Sequence, residues 1–198
     1  MDLAFVIDGS ESISRADPGN WQKVLEFVAS FVDFYVVRPG STRVALVQFS
    51  DIGVIEFNFT TYSTAEEVKQ AILGVQIRNS FTNTHDGIVK MRQLFTPAFG
   101  DRPDVSNVAV ILTDGEHSRE TPDPVPEAER AQGEGITMLA VGVAQANREE
   151  LKGLSSEPKK EYETYWMQES FDDLAEVIGS LRSTSCTKPS ELRCKAGW

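Results

Sequence analysis

The sequence predicts an α/β fold: a doubly wound, mostly parallel β-sheet with one antiparallel edge strand and helices on both faces. Short, continuous apolar runs alternate along the chain with segments whose apolar residues recur at helical spacing. This alternation is typical of parallel strands that are joined by helices and buried on both faces. One run instead alternates apolar and polar residues and follows its predecessor after a short turn, which indicates a half-exposed, antiparallel edge strand.

The strands are predicted from apolar runs that are bounded by turn residues. The first run, LAFVID, ends abruptly in Asp8, and the run VAVILTD ends in Asp114. The run VIEFNF carries the alternating pattern, and the turn at 51–53 pairs it antiparallel with its predecessor. The predicted strands span 3–8, 43–49, 54–59, 108–114, 136–143 and 163–167.

The helices are predicted from apolar spacing and from their first residues. Asp17 and Pro18 open the first helix, with the proline in its first turn. Thr64 caps another, and Glu67 three residues later completes a capping box. Further helices are predicted over about 86–95, 128–132, 147–155 and 171–181.

The predicted organisation is one domain over residues 1–182, followed by a linker or tail over 183–198. The 198 residues are 40% apolar, which is enough for the core of one domain. The tail holds both cysteines, Cys186 and Cys194, in a Ser/Thr/Pro-rich stretch. They form a disulfide with each other or with neighbouring modules, or they are free thiols of a cytosolic protein. The cysteines lie far from both histidines, which argues against a zinc site.

The composition argues against several classes of partner. The formal net charge is −11 and there is no block of basic residues, so we expect neither nucleic-acid binding nor an anionic-membrane surface. No apolar run approaches the length of a membrane-spanning helix, so no direct membrane insertion is expected. Met1 precedes a strand at once, and the expectation is a leaderless or mature-type chain.

Polar side chains follow two of the predicted parallel strands where each strand ends. Asp8, Ser10 and Ser12 follow the first strand, and Asp114 ends the strand over 108–114. Ligands of open α/β sheets bind outside the carboxyl ends of the strands, so these side chains are expected in one crevice. The alternative interpretation is that Asp8 caps a helix and the serines only build a turn.

A third loop, 79–87, adds Thr82 and Thr84 just before a helix. Carboxylate and hydroxyl oxygens are hard ligands, so the predicted ion is Mg²⁺, with Mn²⁺ or Ca²⁺ as alternatives. Two aspartates neutralise a divalent ion at most, and hydroxyls add no formal charge. A coordination position is therefore expected to stay open for an outside oxygen, best supplied by a carboxylate of a partner.

Three motifs, in this order, resemble the metal-ion-dependent adhesion site of von Willebrand factor type A domains. They are DGSES (8–12), TNTHDG (82–87) and LTDG (112–115). The segments RVALVQFS and MLAVGV are also similar to the second and fifth strand regions of that family. The resemblance extends over residues 2–182 and implies a doubly wound sheet with one antiparallel edge strand.

The resemblance also implies the ligand set. Thr82 is preferred over Thr84 because it lies five residues before Gly87, where the family places its threonine. Aspartates at these positions often act through water in the family. The implied metal ligands are Asp8, Ser10, Ser12, Thr82 and Asp114.

Four residues are expected at the rim of the site. Glu11 stands where the family more often has a small residue. One interpretation is that its carboxylate raises metal affinity or biases the site to a closed state. The other is that it is only a solvated turn residue. Glu116 follows the third motif, as in some integrin inserted domains. Thr84 and His85 complete the predicted rim, with His85 as a rim residue and not a catalyst.

The predicted function is a divalent-metal-dependent adhesion or protein-binding module of an extracellular protein, secreted or at the cell surface. By resemblance, it binds collagen or another matrix glycoprotein through an acidic residue of that partner. The alternative is a structural matrix or fibre module that self-associates, in which the metal only stabilises loops. Asn58 begins a glycosylation sequon on the predicted edge strand, which would suit secretion.

An enzyme is not predicted. The segment around Ser10 and Ser12 lacks the second glycine of a nucleophile elbow. The chain has no glycine-rich phosphate loop, and neither histidine has a motif position suited to a general base.

Overall fold

The structure is a computed structural model that describes residues 1–185. Within this part, six strands form one sheet in the order β3-β2-β1-β4-β5-β6. The strands are β1 (Asp2–Asp8), β2 (Arg43–Phe49), β3 (Gly53–Phe57), β4 (Asn107–Thr113), β5 (Ile136–Val143) and β6 (Tyr165–Gln168). Five of them are parallel, and β3 pairs antiparallel with β2 at one edge. The predicted fold class is confirmed.

Seven α-helices connect and follow these strands in the described chain. They are α1 (Glu11–Ala16), α2 (Asn20–Val32), α3 (Ala65–Leu73), α4 (Thr84–Leu94), α5 (Val125–Gly133), α6 (Arg148–Leu154) and α7 (Leu174–Ser185). The predicted capping box at the start of α3 is confirmed, with both hydrogen bonds between Thr64 and Glu67 present. None of these helices is long and apolar enough to cross a membrane, as far as residues 1–185 are concerned.

The central strand β1 shows why the run LAFVID is continuously apolar. Leu3, Phe5 and Ile7 pack into one core with residues of α2, α3 and α7. Ala4 and Val6 face the opposite way, into a second core with α4, α5 and α6. Because helices cover both faces, every position of β1 is buried and a polar residue is expected only at the strand ends.

The structure corrects the prediction for the segment after β1. The short helix α1 was not predicted, because it has six residues, most of them polar, and too few apolar residues to show a helical period, although Ile13 is buried. The helix predicted to open at Asp17 and Pro18 begins at Asn20. Asp17 Oδ1 instead accepts a hydrogen bond from the Gly19 N–H, which makes a turn between the two helices.

Two smaller differences concern the edge strand and the last helix. The edge strand ends at Phe57, so Asn58 lies in the turn that follows it and not on the strand. The side-chain oxygen Oδ1 of Asn58 accepts hydrogen bonds from Thr60 N and Thr60 Oγ1, both at 2.9 Å. Phe171 lies in a short 3-10 turn that precedes α7.

The predicted tail lies largely outside the described residues. Its first three positions, 183–185, belong to α7, which runs to Ser185. Cys186 and Cys194 are beyond the described part of the chain, and the prediction about their pairing stays a prediction.

Candidate metal centre

The candidate centre lies at the carboxyl ends of β1 and β4, the neighbouring strands where the strand order reverses. Ile7 pairs with Leu112 in the parallel register, so the residues that follow them leave the sheet side by side. Asp8 is the last residue of β1, and Asp114 is the first residue after β4. The sheet therefore brings together two carboxylates that are more than a hundred positions apart in the sequence.

Asp8 is fully buried, and both of its oxygens accept hydrogen bonds from neutral groups. Oδ1 accepts from the Ser10 backbone N–H at 2.9 Å, and Oδ2 accepts from the Thr113 hydroxyl at 2.7 Å. These two bonds fix the orientation of the carboxylate. The sequence analysis missed Thr113, although a hydroxyl at the end of an otherwise apolar strand was a signal that could have found it.

The two serines of the first motif connect this aspartate loop to Asp114. The Ser10 and Ser12 hydroxyls are 2.9 Å apart, and Ser12 Oγ donates to Asp114 Oδ1 at 2.7 Å. Ser12 lies in the first turn of α1, directly after the loop that Ser10 closes. Four of the five predicted ligands, Asp8, Ser10, Ser12 and Asp114, thus form one hydrogen-bonded group.

Gly9 lets this loop approach the neighbouring strand closely. A Cβ at Gly9 would lie 2.8 Å from Cδ of Gln48, which is closer than real Cβ contacts come. Gln48 is itself buried, and its amide donates to the Gln76 carbonyl at 3.0 Å. A larger residue at position 9 would therefore require either the Gln48 side chain or the first motif to shift.

The second predicted loop lies beside the first. Asn79 N donates to Gly9 O at 2.9 Å, and Glu11 N donates to Ser80 O at 3.0 Å. Thr82 follows on this loop and is buried. No hydrogen bond joins Thr82 to the group around Asp8 within residues 1–185, so the loop, and not a direct contact, positions it there.

Ser118, which the sequence analysis did not single out, holds the second loop to the third. Thr82 N donates to Ser118 Oγ at 3.1 Å, and Ser118 N donates to Thr82 O at 2.8 Å. His117 Nδ1 lies 2.6 Å from Glu150 Oε2, which attaches the same loop to α6. The loop after Asp114 is thus bonded to the second loop on one side and to α6 on the other.

The four predicted rim residues occupy different environments. Glu11 and Glu116 are exposed, and Glu11 forms a 3.0 Å ion pair with Arg15 one turn along α1. Thr84 is fully buried as the first residue of α4, and its hydroxyl has no hydrogen-bond partner in the described chain. His85 is partly buried, and its Nδ1 likewise has no partner among these residues.

The electrostatics of the group favour a cation. Burial, together with the charge of Asp114, raises the pKa of Asp8 to about 7. Burial also raises the pKa of Asp114 above its usual range. No Lys, Arg or His of the described chain forms an ion pair with either carboxylate. The exposed Arg15 acts on Asp114 only from a distance. Two buried carboxylates without an ion-pair partner are an arrangement that a divalent ion would stabilise.

The residues present fit a hard divalent ion. Two carboxylates and the hydroxyls of Ser10, Ser12 and Thr82 are all oxygen donors. Within residues 1–185, no group of three or more His, Cys, Asp and Glu side chains is placed to hold a metal. The candidate centre therefore depends on hydroxyl groups as much as on charge.

Comparison with known proteins identifies the family of this chain. The family model of the von Willebrand factor type A domain matches residues 2–180. Mouse matrilin-4 is 38% identical over 190 residues, which cover 94% of this chain and 29% of the relative. Human cochlin is 34% identical over 187 residues, which cover 94% of this chain and 32% of the relative. The chain thus spans about a third of the length of these relatives.

Solved structures of proximal thread matrix protein 1 from the mussel byssus have the same fold. One crystal form matches 93% of this chain and 48% of that chain, with a TM-score of 0.87 and 25% identity. Another structure of that protein is described with a zinc-occupied metal-ion-dependent adhesion site (MIDAS) motif. It matches 93% of this chain and 45% of that chain. Its TM-score is 0.84 and its identity is 29%. The family match over nearly the whole described chain and these relatives agree, and the chain belongs to the von Willebrand factor type A domain family.

Proposed function

We propose that this chain is a divalent-metal-dependent protein-binding module of an extracellular matrix protein. The observation that carries the proposal is the hydrogen-bonded group of Asp8, Ser10, Ser12 and Asp114. It buries two carboxylates at the carboxyl edge of the sheet and pairs neither of them with a cationic side chain of the described chain.

The proposed ligands are the two aspartates and the hydroxyls of Ser10, Ser12 and Thr82. When bound, the ion supplies an electrophilic centre that attracts a carboxylate oxygen of the partner. The Thr113 hydroxyl and the Ser10 N–H orient Asp8, while Ser12 orients Asp114. Because the serine and threonine ligands are uncharged, the charge of an Asp or Glu from the partner is not opposed by further carboxylates in the ligand set.

The proposed ion is Mg²⁺, with Mn²⁺ or Ca²⁺ as alternatives, because the donor set consists of hard oxygen atoms. The related mussel protein is described with zinc in its MIDAS motif. Zn²⁺ is therefore one arm of the metal-binding test.

The proposed partner is a protein, collagen or another matrix glycoprotein, that presents an exposed acidic residue. An extracellular location is supported by the similarity to matrilin-4, cochlin and a thread matrix protein. Glycosylation of Asn58 and a disulfide of Cys186 or Cys194 stay predictions that would suit this location. The proposed module spans residues 1–182, close to the range of the family match.

Binding, and not catalysis, is the proposed activity. The hydroxyls of Ser10 and Ser12 bond to each other and to Asp114, and neither bonds to a histidine of the described chain. The serines are thus placed as ligands and not as nucleophiles activated by a general base.

The test is binding of the purified chain to immobilised matrix proteins, including collagens, in Mg²⁺, in Zn²⁺ and again in EDTA. We expect binding that EDTA abolishes and that Asp114→Ala also abolishes. Asp104→Ala is the matched control, because it removes an exposed carboxylate in the loop before β4. Loss of binding in this control as well would contradict a specific role of the metal centre.

The second candidate function is a structural matrix module that self-associates, with the metal serving only to stabilise loops. The likeness to a thread matrix protein favours it. Binding or self-association that is unchanged in EDTA and in Asp114→Ala would replace the first proposal with this one.

A further inference from the structure

Thr82 differs from the other four proposed metal ligands, because no hydrogen bond within residues 1–185 joins it to their group. Its backbone N–H donates to Ser118 Oγ at 3.1 Å, and its carbonyl oxygen accepts from the Ser118 N–H at 2.8 Å. Thr82 is 8% exposed. Both backbone polar groups of this buried residue thus bond to one residue of the loop that follows Asp114.

The residues on either side of Thr82 are held by a different element. Ser80 N donates to Ser50 Oγ at 2.9 Å, and Asn83 N donates to Ser50 O at 2.8 Å. Ser50 directly follows β2, so it fixes both ends of this short stretch to the sheet. Between them, Ser118 is the residue of the described chain that bonds to the peptide groups of Thr82. A shift of Ser118 would therefore move Thr82 within an otherwise anchored loop.

The position of Ser118 is set in turn by Glu150 of α6. Glu150 Oε2 accepts from the His117 backbone N–H at 3.2 Å and lies 2.6 Å from His117 Nδ1. Glu150 is itself buried. Because these two contacts involve both the main chain and the ring of His117, they fix the residue that directly precedes Ser118.

The helix α6 is a rigid support for this contact. Leu151 and Leu154, which follow Glu150 on the helix, are buried in the second core. A Cβ at Gly142 of β5 would lie 2.2 Å from Leu151 Cδ1, so the helix packs directly against the strand. A site supported by such an element is held more precisely than one supported by loops alone.

The burial of Glu150 is not explained by its own hydrogen bonds. Its second oxygen, Oε1, is buried and has no hydrogen-bond partner in the described chain. An unpaired oxygen of a buried carboxylate is destabilising. Proteins keep such costs mainly at functional sites, and the contact that Glu150 does make leads to a proposed metal ligand.

We propose that Glu150 is a positioning residue for the metal ligand Thr82. It acts through His117 and Ser118, which connect α6 to the loop that carries Thr82. Hydrogen-bond partners of metal ligands orient those ligands and raise the affinity for the ion. Here that role extends to a helix outside the three ligand loops. The inference rests on the proposed function, because it requires Thr82 to bind the ion.

The test is a Mg²⁺ titration of the whole chain, followed in ¹H–¹⁵N spectra. These spectra report the affinity for the ion and, separately, the environment of the Thr82 backbone N–H. We expect Glu150→Ala to weaken Mg²⁺ binding about three- to tenfold and to shift the Thr82 signal even in EDTA. Glu149→Ala is the matched control, because it removes an exposed carboxylate from the neighbouring position of α6, and it should change neither.

Variants of Ser118 test whether the effect of Glu150 passes through this residue. Ser118→Ala removes the hydroxyl that accepts from Thr82 N and should weaken Mg²⁺ binding about tenfold. Ser118→Thr, which keeps the hydroxyl, should restore most of that affinity. The double variant Glu150→Ala/Ser118→Ala should bind about as weakly as Ser118→Ala, whereas independent effects would multiply to about thirty- to a hundredfold. Glu150→Met, which fills the space without an acceptor, replaces Glu150→Ala if the alanine variant unfolds.

The outcomes separate this inference from the proposed function. Unchanged Mg²⁺ affinity in Glu150→Ala or in Thr82→Val, or independent losses in the double variant, would overturn the positioning role. Loss of Mg²⁺ binding in Asp114→Ala would still support the metal centre in that case. If the original chain did not bind Mg²⁺, or if Asp114→Ala bound it equally well, both the inference and the proposed function would be overturned.

Discussion

The strand β1 begins and ends with a buried aspartate, and the two ends satisfy that aspartate in different ways. Asp2 and Asp8 are both 0% exposed. Asp2 contacts the Arg102 guanidinium, with Nη2 at 2.5 Å and Nε at 3.0 Å from Oδ1. Asp8 receives only neutral donors, from Ser10 and Thr113, and the charge that acts on it is that of another carboxylate, Asp114.

The comparison distinguishes Asp2, whose charge is paired within the chain, from Asp8, whose charge is available to a bound ion. At the amino end, Arg102 also donates to the carbonyls of Met1 and Ser41, at 2.8 and 2.7 Å. The charge of Asp2 is thus neutralised by Arg102, whose guanidinium also connects the start of the chain to the segment around Ser41. At the carboxyl end no cationic side chain of the described chain forms an ion pair with Asp8 or Asp114, and only the exposed Arg15 acts on Asp114 from a distance. Neutralisation is therefore expected from a bound ion or from protonation of a carboxylate.

The largest effect is expected at the amino end. Arg102→Met leaves Asp2 buried without its cation, and we expect a loss of about 3–5 kcal/mol in the free energy of unfolding. Urea denaturation should show the same loss in Mg²⁺ and in EDTA, because the metal lies at the other end of the strand. The double variant Asp2→Asn/Arg102→Met should recover part of the loss. A loss that disappears in Mg²⁺ would contradict the separation of the two ends.

The next effect is stabilisation by the metal. Saturating Mg²⁺, at a hundred times its dissociation constant, should raise the free energy of unfolding by about 2.7 kcal/mol. Asp8→Asn should abolish this increment, whereas Asp2→Asn should keep it. Thermal unfolding with and without EDTA measures both, and an increment that survived Asp8→Asn would place the metal elsewhere.

Without metal, replacing the aspartate at either end of β1 by asparagine is expected to change the free energy of unfolding by a smaller amount. The sign of the change should be opposite at the two ends. Burial raises the folded-state pKa of Asp8 from 3.8 to about 7, so the folded chain keeps a proton that the unfolded chain releases. In EDTA, stability should therefore fall as the pH rises from about 4 to about 7. Asp8→Asn should remove this loss and gain about 1–3 kcal/mol at neutral pH.

The corresponding Asp2→Asn variant supplies the comparison. It should lower stability in EDTA at neutral pH, because it takes the charge away from Arg102, which is itself largely buried. Urea denaturation across the pH range measures both variants. Destabilisation by Asp8→Asn in EDTA would show that the carboxylate is already satisfied without a cation.

The smallest effect concerns the residue that orients Asp8. Thr113→Val removes the hydroxyl that donates to Asp8 Oδ2, and we expect Mg²⁺ affinity to fall by about tenfold. Isothermal titration calorimetry measures this change, and Thr113→Ser, which keeps the hydroxyl, should bind Mg²⁺ nearly as well as the original chain. Equal affinity in the valine variant would mean that the strand end alone orients the carboxylate.

Much of the architecture was readable from local sequence. The apolar runs predicted all six strands, and the alternation in VIEFNF predicted the antiparallel edge. These features depend on residues a few positions apart, because side-chain period and turn chemistry are local properties. The aspartates at two strand ends were also visible, since a charge interrupts a buried run only where the strand leaves the core.

The local sequence was less informative for short elements, where a turn and a helix start are both compatible with the same residues. The helix α1 is too short and polar to show an apolar period, and the turn at Asp17 and Gly19 replaced the predicted helix start. Thr84 was assigned to the rim from its neighbours in the sequence, but packing of α4 buries it completely. Burial of a single residue depends on what packs over it.

Sequence by itself determined the strand pattern, the edge strand and the polar residues at the strand ends of this protein. Only the tertiary structure decided which charges are paired. Arg102 reaches Asp2 across a hundred positions, and Ser12 reaches Asp114 across 102. The physical reason is that charge pairing and desolvation are set by the packing of distant segments, which no local periodicity encodes.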